Sequence, residues 1–326
     1  MTEHTLLFLA AFIISLIGTV ILESKLIPHL RKRAHQPIYE GGPEWHLKKQ
    51  GTPTMGGLAF LIAMSVALIF CTVLLFEGGF SAAGCSIIII LVFSVFNSFV
   101  GIIDDLTKLH RRENAGLTPL QKLVLQFISV WVLLFAREYF FADGTELHFG
   151  NFPLDLKFLY YPVMALLAVG IINFSNLTDG VDGLAASTAV GIGVGLLFVA
   201  TSADTVSVAA VLIGGSVGFL FFNVNPAKIF MGDTGSLFLG ALVAACAFTL
   251  EFPLMIILIC SVYVLEGGSV IIQVLVYKLT GKRVFKMSPL HHHLEKCNFS
   301  ETKICLCALI LTLVSSLFAL SATQLG

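Results

Sequence analysis

Residues 86–105 read SIIIILVFSVFNSFVGIIDD, an apolar run that ends in two adjacent carboxylates. The run is close to the roughly 20 residues that a helix needs to cross the hydrocarbon of a bilayer. Charge at the end of such a run is costly unless it is paired, hydrated or bound to a cation. The segment therefore predicts a membrane-spanning helix that brings Asp104 and Asp105 to one membrane face, in a cation site for a phosphorylated substrate.

The whole chain shares this apolar character. Of its 326 residues, 57% are hydrophobic and only 12% are charged, and the mean hydropathy is +0.93. A soluble domain needs more charge to cover its surface, so we predict a polytopic membrane protein. Continuous apolar runs indicate helices, because the strands of membrane barrels alternate in polarity. We expect one all-α domain over residues 1–326 with ten transmembrane helices, at residues 5–28, 53–76, 82–103, 119–141, 158–174, 184–201, 205–222, 235–251, 254–278 and 303–322.

Orientation follows from basic residues in short loops, which concentrate on the cytoplasmic side of membrane proteins. Ten spans place only Arg137 and Lys157 on the other side, so we expect both termini outside and the active site on the cytoplasmic face. No basic segment precedes the first run, so we expect it to be retained rather than cleaved as a signal peptide. The other seventeen of the nineteen basic residues are cytoplasmic in this topology: Lys25, Arg31, Lys32, Arg33, Lys48, Lys49, Lys108, Arg111, Arg112, Lys122, Lys228, Lys278, Lys282, Arg283, Lys286, Lys296 and Lys303.

The cysteine spacing and the net charge argue against several classes of site and partner, and a turn signal predicts a hairpin. The seven cysteines include no C-x-x-C pair, so a disulfide framework or a zinc site is not expected. The net charge of -1 and the lack of a basic, aromatic platform argue against a nucleic-acid partner. In the outer segment 142–157, Asp143-Gly144 is a turn signal between partly apolar stretches and predicts a small hairpin.

The carboxylate pair at the end of the third run has two interpretations. Adjacent carboxylates repel, so Asp104 and Asp105 both stay ionised only if Lys108 or a metal ion lies nearby; otherwise the pKa of one rises. The alternative is a pair of interfacial acids that close a helix. Asp at a helix C-terminus opposes the macrodipole, which makes this alternative slightly less favourable.

A second acidic pair precedes the sixth run. Asp179 and Asp182 are three residues apart, which places them on one face if they are helical, and capping of the following helix would account for one of them. Each is followed by Gly, and Asn173 and Asn176 lie upstream. The pattern favours close approach of the backbone to a ligand.

A third acidic residue, Asp233, opens the eighth run in a turn that begins at Phe230, with Asn223 just before it. A helix N-terminus offers free N–H groups to an anion, and a carboxylate is a suitable ligand for Mg²⁺. N-capping by Asp233 is the competing interpretation.

Three successive histidines, His291, His292 and His293, lie in the last cytoplasmic loop. Three adjacent side chains cannot all face one site from a helix, and their basic surroundings favour phosphate or sugar oxygens over zinc. Lys49 and Thr54 enter the second span, where basic residues most often only enforce topology. Residues 266–268, Glu-Gly-Gly, are expected to interrupt the ninth span and bend it.

Together these segments resemble one family, the polyprenyl-phosphate N-acetylhexosamine-1-phosphate transferases. The triple histidine followed by Glu295 is similar to the muramoyl-pentapeptide branch rather than to the GlcNAc-phosphate branch. The segments occur in the family's order along the whole chain: 51–57 GTPTMGG, 101–108 GIIDDLTK, 176–184 NLTDGVDGL, 230–236 FMGDTGS and 282–295 KRVFKMSPLHHHLE.

The resemblance implies transfer of phospho-MurNAc-pentapeptide from UDP-MurNAc-pentapeptide to undecaprenyl phosphate, giving lipid I and UMP in peptidoglycan synthesis. It also implies Mg²⁺, the bacterial plasma membrane and frequently a homodimer. By motif, the resemblance implies that Asp104 lies nearest the lipid phosphate and is a candidate base, with Asp105 and Lys108 beside it. It also implies that Asp233 coordinates Mg²⁺ and that Lys122 holds a phosphate. The resemblance also places the histidines His291, His292 and His293 at the sugar and pyrophosphate end. It implies that the nucleoside side is formed by Lys49, Asn173, Asp179, Asp182, Asn223 and Phe230, and that Thr54 and Asn176 also bind substrate.

Two alternatives remain. A sister enzyme would transfer GlcNAc-1-phosphate to the same kind of carrier. An ion-coupled transporter would use Glu266 and the carboxylates as an ion pathway, but it predicts polar residues at mid-bilayer in several spans. The carboxylates cluster instead at the predicted cytoplasmic ends of the runs.

Overall fold

A computed structural model describes residues 2–32, 49, 51–111, 116–142, 144–149 and 152–324. Arg33, Lys48, Arg112 and Asp143 lie outside the described residues. The described part consists mainly of helices: α1 Thr2–Leu30, α2 Gly57–Glu77, α3 Ser81–Arg111, α4 Pro119–Phe141, α5 Tyr160–Thr178, α6 Leu184–Val199, α7 Ala203–Asn223, α8 Gly232–Cys246, α9 Met255–Ile259, α10 Ser261–Thr280, α11 Leu290–Glu295 and α12 Glu301–Gln324.

The ten predicted runs all form helices. Nine helical segments among the described residues are long and apolar enough to cross a membrane. The sixth run forms α6, an apolar helix of 16 residues, which is shorter than the others. The predicted class, an all-α polytopic membrane protein, is confirmed. The third helix continues for two turns beyond its predicted end at residue 103, because polar residues after Asp105 extend the helix to Arg111.

The break in the ninth run is not where we predicted it. The helix is interrupted at Cys260, between α9 and α10, and Glu266, Gly267 and Gly268 lie within the continuous helix α10. A methyl group at Gly267 would overlap the ring of Phe174 on α5. Gly267 therefore serves the close packing of two helices, a common use of small residues in membranes.

Helix α8 lies at the centre of the bundle and is buried along nearly its whole length. It packs against α2, α3 and α5, while α1 packs against α7 and α12 against α6. Glycines permit this close packing near the start of α8. Side chains at Gly57 or Gly101 would overlap the backbone of Gly235 and Asp233, respectively. These contacts bring the N-terminus of α2 and the C-terminal part of α3 against the start of α8.

The predicted hairpin is present outside the bundle. Strand β1 (Glu146–Phe149) pairs antiparallel with β2 (Phe152–Asp155), and Glu146 pairs with Asp155. The pairing continues to Phe149 and Phe152, so the strands connect there and not at the predicted turn signal Asp143-Gly144. Gly144 precedes the first strand instead.

Candidate active site

Asp105 holds the start of α8. Its two oxygens accept the backbone N–H of Asp233 (3.1 Å), the backbone N–H of Thr234 (2.9 Å) and the Thr234 hydroxyl (2.7 Å). The first N–H groups of a helix lack partners within the helix and attract negative charge. The helix N-terminus does receive an anion, as the sequence predicted, but that anion is Asp105 of the same chain.

Asp104 is wholly buried beside two lysines. Its Oδ2 lies 2.7 Å from Lys108 Nζ, one helical turn away, and its Oδ1 lies 3.0 Å from Lys122 Nζ of α4. The backbone N–H of Leu117 also donates to Oδ1 at 2.7 Å. A side chain at Gly116 would overlap this carboxylate. The interpretation of an interfacial acid turned towards water is therefore wrong for Asp104, which is enclosed by protein.

Asp233 is the more accessible carboxylate, with 14% of its side chain exposed. It pairs with Lys122 Nζ at 2.5 Å and with Lys108 Nζ at 3.2 Å. Its other oxygen accepts the side-chain amide of Asn176 at 3.0 Å, and that amide also donates to Ser236 Oγ at 2.8 Å. Asp233 forms no capping hydrogen bond with its own helix, so the N-cap interpretation is wrong.

A capping box places Lys122 in the site. The Thr118 hydroxyl accepts the backbone N–H of Gln121, and the Gln121 side chain accepts the backbone N–H of Thr118. Pro119 follows at the first helical position, where its missing N–H costs nothing. This local pattern fixes the start of α4, so Lys122 in its first turn reaches Asp104 and Asp233.

The carboxylate oxygens near the start of α8 are suitable ligands for a hard divalent cation. One oxygen from each of Asp104, Asp105 and Asp233 lies within 4.8 Å of the other two. Three carboxylates face two amines, those of Lys108 and Lys122, which leaves one negative charge without a cation. Asp105 is only 1% exposed and its oxygens accept hydrogen bonds from the start of α8, whereas 14% of the Asp233 side chain is exposed. Carboxylate oxygens are the ligands that Mg²⁺ prefers, so Asp233 would hold the ion.

The second acidic pair lies in a turn and not in a helix. Helix α5 ends at Thr178, and α6 begins at Leu184 with Gly183 as its N-cap. The capping interpretation is therefore wrong for both acids. Burial raises the pKa of Asp179 well above its usual value, and the carboxylates of Asp233, Asp105 and Asp182 raise it further. The repulsion links this turn electrostatically to the carboxylates of α3 and α8.

Asp182 lies in a network of ion pairs and hydrogen bonds. Its Oδ1 accepts Lys49 Nζ at 2.7 Å, and its Oδ2 accepts the Asn225 side chain at 3.1 Å and the Ala227 N–H at 3.0 Å. Glu301 at the start of α12 accepts both Lys49 Nζ (2.6 Å) and the Asp182 N–H (3.0 Å). We did not predict Glu301, because an acid in a first helical turn usually only complements the macrodipole.

The three histidines point to three different partners, as predicted from their spacing. His291 is buried, and its Nδ1 lies 3.0 Å from Glu266 Oε2. Its Nε2 has no hydrogen-bond partner among the described residues and faces Gly180, where a side chain would overlap it. His292 Nδ1 lies 2.7 Å from a Glu295 oxygen. His293 Nδ1 instead accepts the Lys286 N–H at 3.1 Å.

The other predicted residues lie around this site with structural contacts. Asn223 accepts the Gly183 N–H and donates to the Ile229 carbonyl, so both its amide oxygen and its amide nitrogen have a partner within the protein. Asn173 donates to the Gln126 side chain of α4 at 2.7 Å. The backbone of Phe230 bonds to Pro53 and to Gly56, and its ring is half-buried. The buried Thr54 hydroxyl lies where a side chain at Gly232 would contact it.

Comparisons with known proteins identify the family. Residues 87–251 match the model of glycosyl transferase family 4, and residues 49–61 match signature 1 of the phospho-N-acetylmuramoyl-pentapeptide-transferases. A phospho-N-acetylmuramoyl-pentapeptide-transferase of Heliobacterium modesticaldum is 42% identical over 300 residues, which cover 90% of this chain and 91% of the relative. The chain belongs to the phospho-N-acetylmuramoyl-pentapeptide-transferase family. Its resemblance to the muramoyl-pentapeptide branch is thereby confirmed.

Relatives with the same family name extend the similarity over the full length. The protein of Shouchella clausii is 39% identical over 336 residues, covering 100% of this chain and 99% of the relative. That of Clostridium perfringens is 40% identical over 316 residues, covering 96% of this chain and 95% of the relative. The matched length includes every helix that contributes to the site. The chain is thus a multi-pass bacterial membrane protein and a phospho-N-acetylmuramoyl-pentapeptide-transferase family enzyme of peptidoglycan synthesis.

Proposed function

We propose that the carboxylate and lysine cluster transfers phospho-MurNAc-pentapeptide from UDP-MurNAc-pentapeptide to undecaprenyl phosphate, on the cytoplasmic face and with Mg²⁺. The observation that supports this site most strongly is the meeting of Asp104, Asp105 and Asp233 with two lysine amines. The cluster lies where membrane-spanning helices end, so a phosphate on a lipid and a soluble nucleotide can both reach it. Phosphoryl transfer requires mainly positioning and charge neutralisation, which these groups offer.

The step that we propose is direct. An oxygen of the lipid phosphate forms a bond to the sugar-linked phosphorus, and the bond from that phosphorus to the bridging oxygen breaks. The electron pair leaves with UMP. A phosphate monoester has a second pKa of about 6 and is largely ionised at neutral pH, so it needs little help from a base.

The surroundings of the two aspartates support different roles in this step. Asp104 is wholly buried between Lys108, Lys122 and the Leu117 N–H, which fits positioning of the lysines better than proton transfer. Lys122 is 18% exposed and can donate to a phosphate oxygen. Bound at Asp233, Mg²⁺ would neutralise the charge of the pyrophosphate.

Release of UMP tests the proposal. Purified protein with UDP-MurNAc-pentapeptide, undecaprenyl phosphate and Mg²⁺ is expected to release UMP, and EDTA is expected to stop the release. Asp233→Asn is expected to reduce turnover by at least 100-fold without loss of folded protein. Glu77→Gln, an exposed substitution at the opposite end of α2, is the matched control. Full turnover by Asp233→Asn would show that the metal assignment is wrong.

The same assay separates the alternatives. UMP release from UDP-GlcNAc as fast as that from UDP-MurNAc-pentapeptide would favour the GlcNAc-1-phosphate transferase. Ion-driven uptake into proteoliposomes without UMP release would favour the ion-coupled transporter. A phosphosugar trapped covalently on Asp104 in the absence of lipid would refute direct attack. These outcomes are mutually distinct, so one preparation of protein and one set of donors suffice.

The orientation and assembly are proposed on the same basis. An impermeant maleimide should label Cys297, in the loop of the histidines, in inverted membrane vesicles but not in intact spheroplasts. A cysteine introduced at Thr145, next to β1, should show the opposite pattern. Labelling of Cys297 from outside would show that the proposed topology is inverted.

We also propose that the chain forms one folding domain and assembles as a homodimer. Native mass spectrometry of the detergent-solubilised protein would test the dimer.

A further inference from the structure

Glu301 connects two parts of the site that are far apart in sequence. Its Oε2 accepts Lys49 Nζ at 2.6 Å and the Asp182 N–H at 3.0 Å. Lys49 Nζ also donates to Asp182 Oδ1 at 2.7 Å. The three residues therefore form a closed triangle between the segment before α2, the turn after α5 and the first turn of α12.

The triangle is shielded from water. The side chains of Lys49, Asp182 and Glu301 are 16%, 4% and 15% exposed, respectively. Hydrogen bonds between charged groups are the stronger ones, and they hold their partners in defined geometry when water is excluded. A single amine is thus held between two carboxylates.

Both oxygens of Asp182 already accept hydrogen bonds in this arrangement. Besides Lys49, it accepts the Asn225 side chain and the Ala227 N–H from the segment between α7 and α8. Among the described residues, Lys49 Nζ uses two of its three donor hydrogens on Asp182 and Glu301. The third can be directed to a ligand. The position of that amine depends on both carboxylates.

We infer that Glu301 is a positioning residue for the donor nucleotide: it holds Lys49 and the Asp182 turn in the geometry that binds the uridine nucleotide part of the substrate. This inference rests on the proposed function, with Lys49 and Asp182 on the nucleoside side of the site as the family resemblance implies. Glu301 acts through Lys49 and does not touch the reacting phosphorus. Its loss affects donor binding rather than the chemical step.

Steady-state kinetics with both substrates test the inference. Glu301→Ala is expected to raise KM for UDP-MurNAc-pentapeptide about tenfold, the effect of one charge-assisted hydrogen bond. KM for undecaprenyl phosphate and kcat are expected to stay within about threefold of the wild-type values. Glu301→Gln keeps an acceptor oxygen for the Asp182 N–H and is expected to show a smaller rise. Glu77→Gln removes an exposed carboxylate far from the site and serves as the control.

A double-variant cycle distinguishes positioning through Lys49 from a general loss of structure. In the background of Lys49→Met, Glu301→Gln is expected to raise the donor KM no further, because its partner is already gone. Multiplicative effects of the two substitutions would overturn the inference. So would a rise in KM for the lipid equal to that for the donor, or a donor KM that matches the control.

Direct binding keeps the test independent of turnover. Calorimetric titration of wild type and Glu301→Gln with UMP should show weaker binding by the variant, and equal affinity would overturn the inference. This measurement applies even if Glu301→Ala does not fold. Absence of UMP release by wild type would contradict the proposed function, whereas normal wild-type release with unaltered Glu301 variants would contradict this inference alone.

Discussion

Asp105→Asn is expected to destabilise the fold by about 2–4 kcal/mol although it preserves the side-chain volume. Asp105 accepts hydrogen bonds from the Asp233 N–H and from the N–H and hydroxyl of Thr234. In the variant, the amide oxygen can still serve Thr234, but the amide NH₂ group faces the Asp233 N–H. A hydrogen bond to a charged acceptor contributes about 1.5–3 kcal/mol. Loss of the negative charge at the start of α8 adds about 0.3–1 kcal/mol.

Unfolding of the purified protein by heat and by SDS, in one detergent and without substrates, measures this loss. Thr234→Val removes only the hydroxyl hydrogen bond and is expected to cost about 1 kcal/mol. In the double variant the two losses should sum to less than their separate values, because they share one partner. A midpoint of Asp105→Asn equal to that of wild type, or strict additivity with Thr234→Val, would refute the capping of α8 by α3.

Three further predictions concern the rest of the molecule. Glu266→Gln removes the anion that orients His291 and is expected to lower turnover about 10- to 100-fold; unaltered turnover would contradict this role. Gly267→Ala is expected to cost about 1–3 kcal/mol by overpacking, whereas Gly268→Ala, whose methyl group meets open space, should not destabilise; equal midpoints for the two variants would contradict the packing. Because the pKa of Asp179 is raised in the folded state, the folded protein binds the extra proton, and stability should fall as pH rises above about 3.9. Unfolding midpoints from pH 4 to 8 with chelator present should flatten in Asp179→Asn, and parallel curves for variant and wild type would contradict the assignment.

The membrane-spanning helices could be predicted well because hydrocarbon imposes one strong requirement on them. Every backbone group must be paired within the segment, so a long apolar run can form only a helix. The break at Cys260 could not be predicted, since no Gly or Pro marks it. The motif Glu266-Gly-Gly suggested a break, but Gly267 instead admits the Phe174 ring, a contact that depends on the distant helix α5.

The sequence predicted which residues form the site, but not the hydrogen bonds and ion pairs between them. Sequence motifs indicated that Asp104, Asp105 and Asp233 act together, and the structure brings them within 4.8 Å of one another. Which acid is buried and which stays accessible depends on packing against other helices, such as the contact of Asp105 with the N–H groups at the start of α8. Glu301 was missed for the same reason, because its contact with Lys49 spans 252 positions in the sequence.

The attachment of α8 to α3 also has a consequence for synthesis of the chain. Lys108 is only one turn from Asp104, so that pair can form as soon as α3 emerges. Asp105 must wait for donors 128 and 129 residues later. At about 5–20 residues per second, the ribosome needs roughly 6–26 s to supply them. During that interval Asp105 of the newly inserted α3 lacks its hydrogen-bond donors from α8. Completion of the acidic pocket is therefore a late event in insertion.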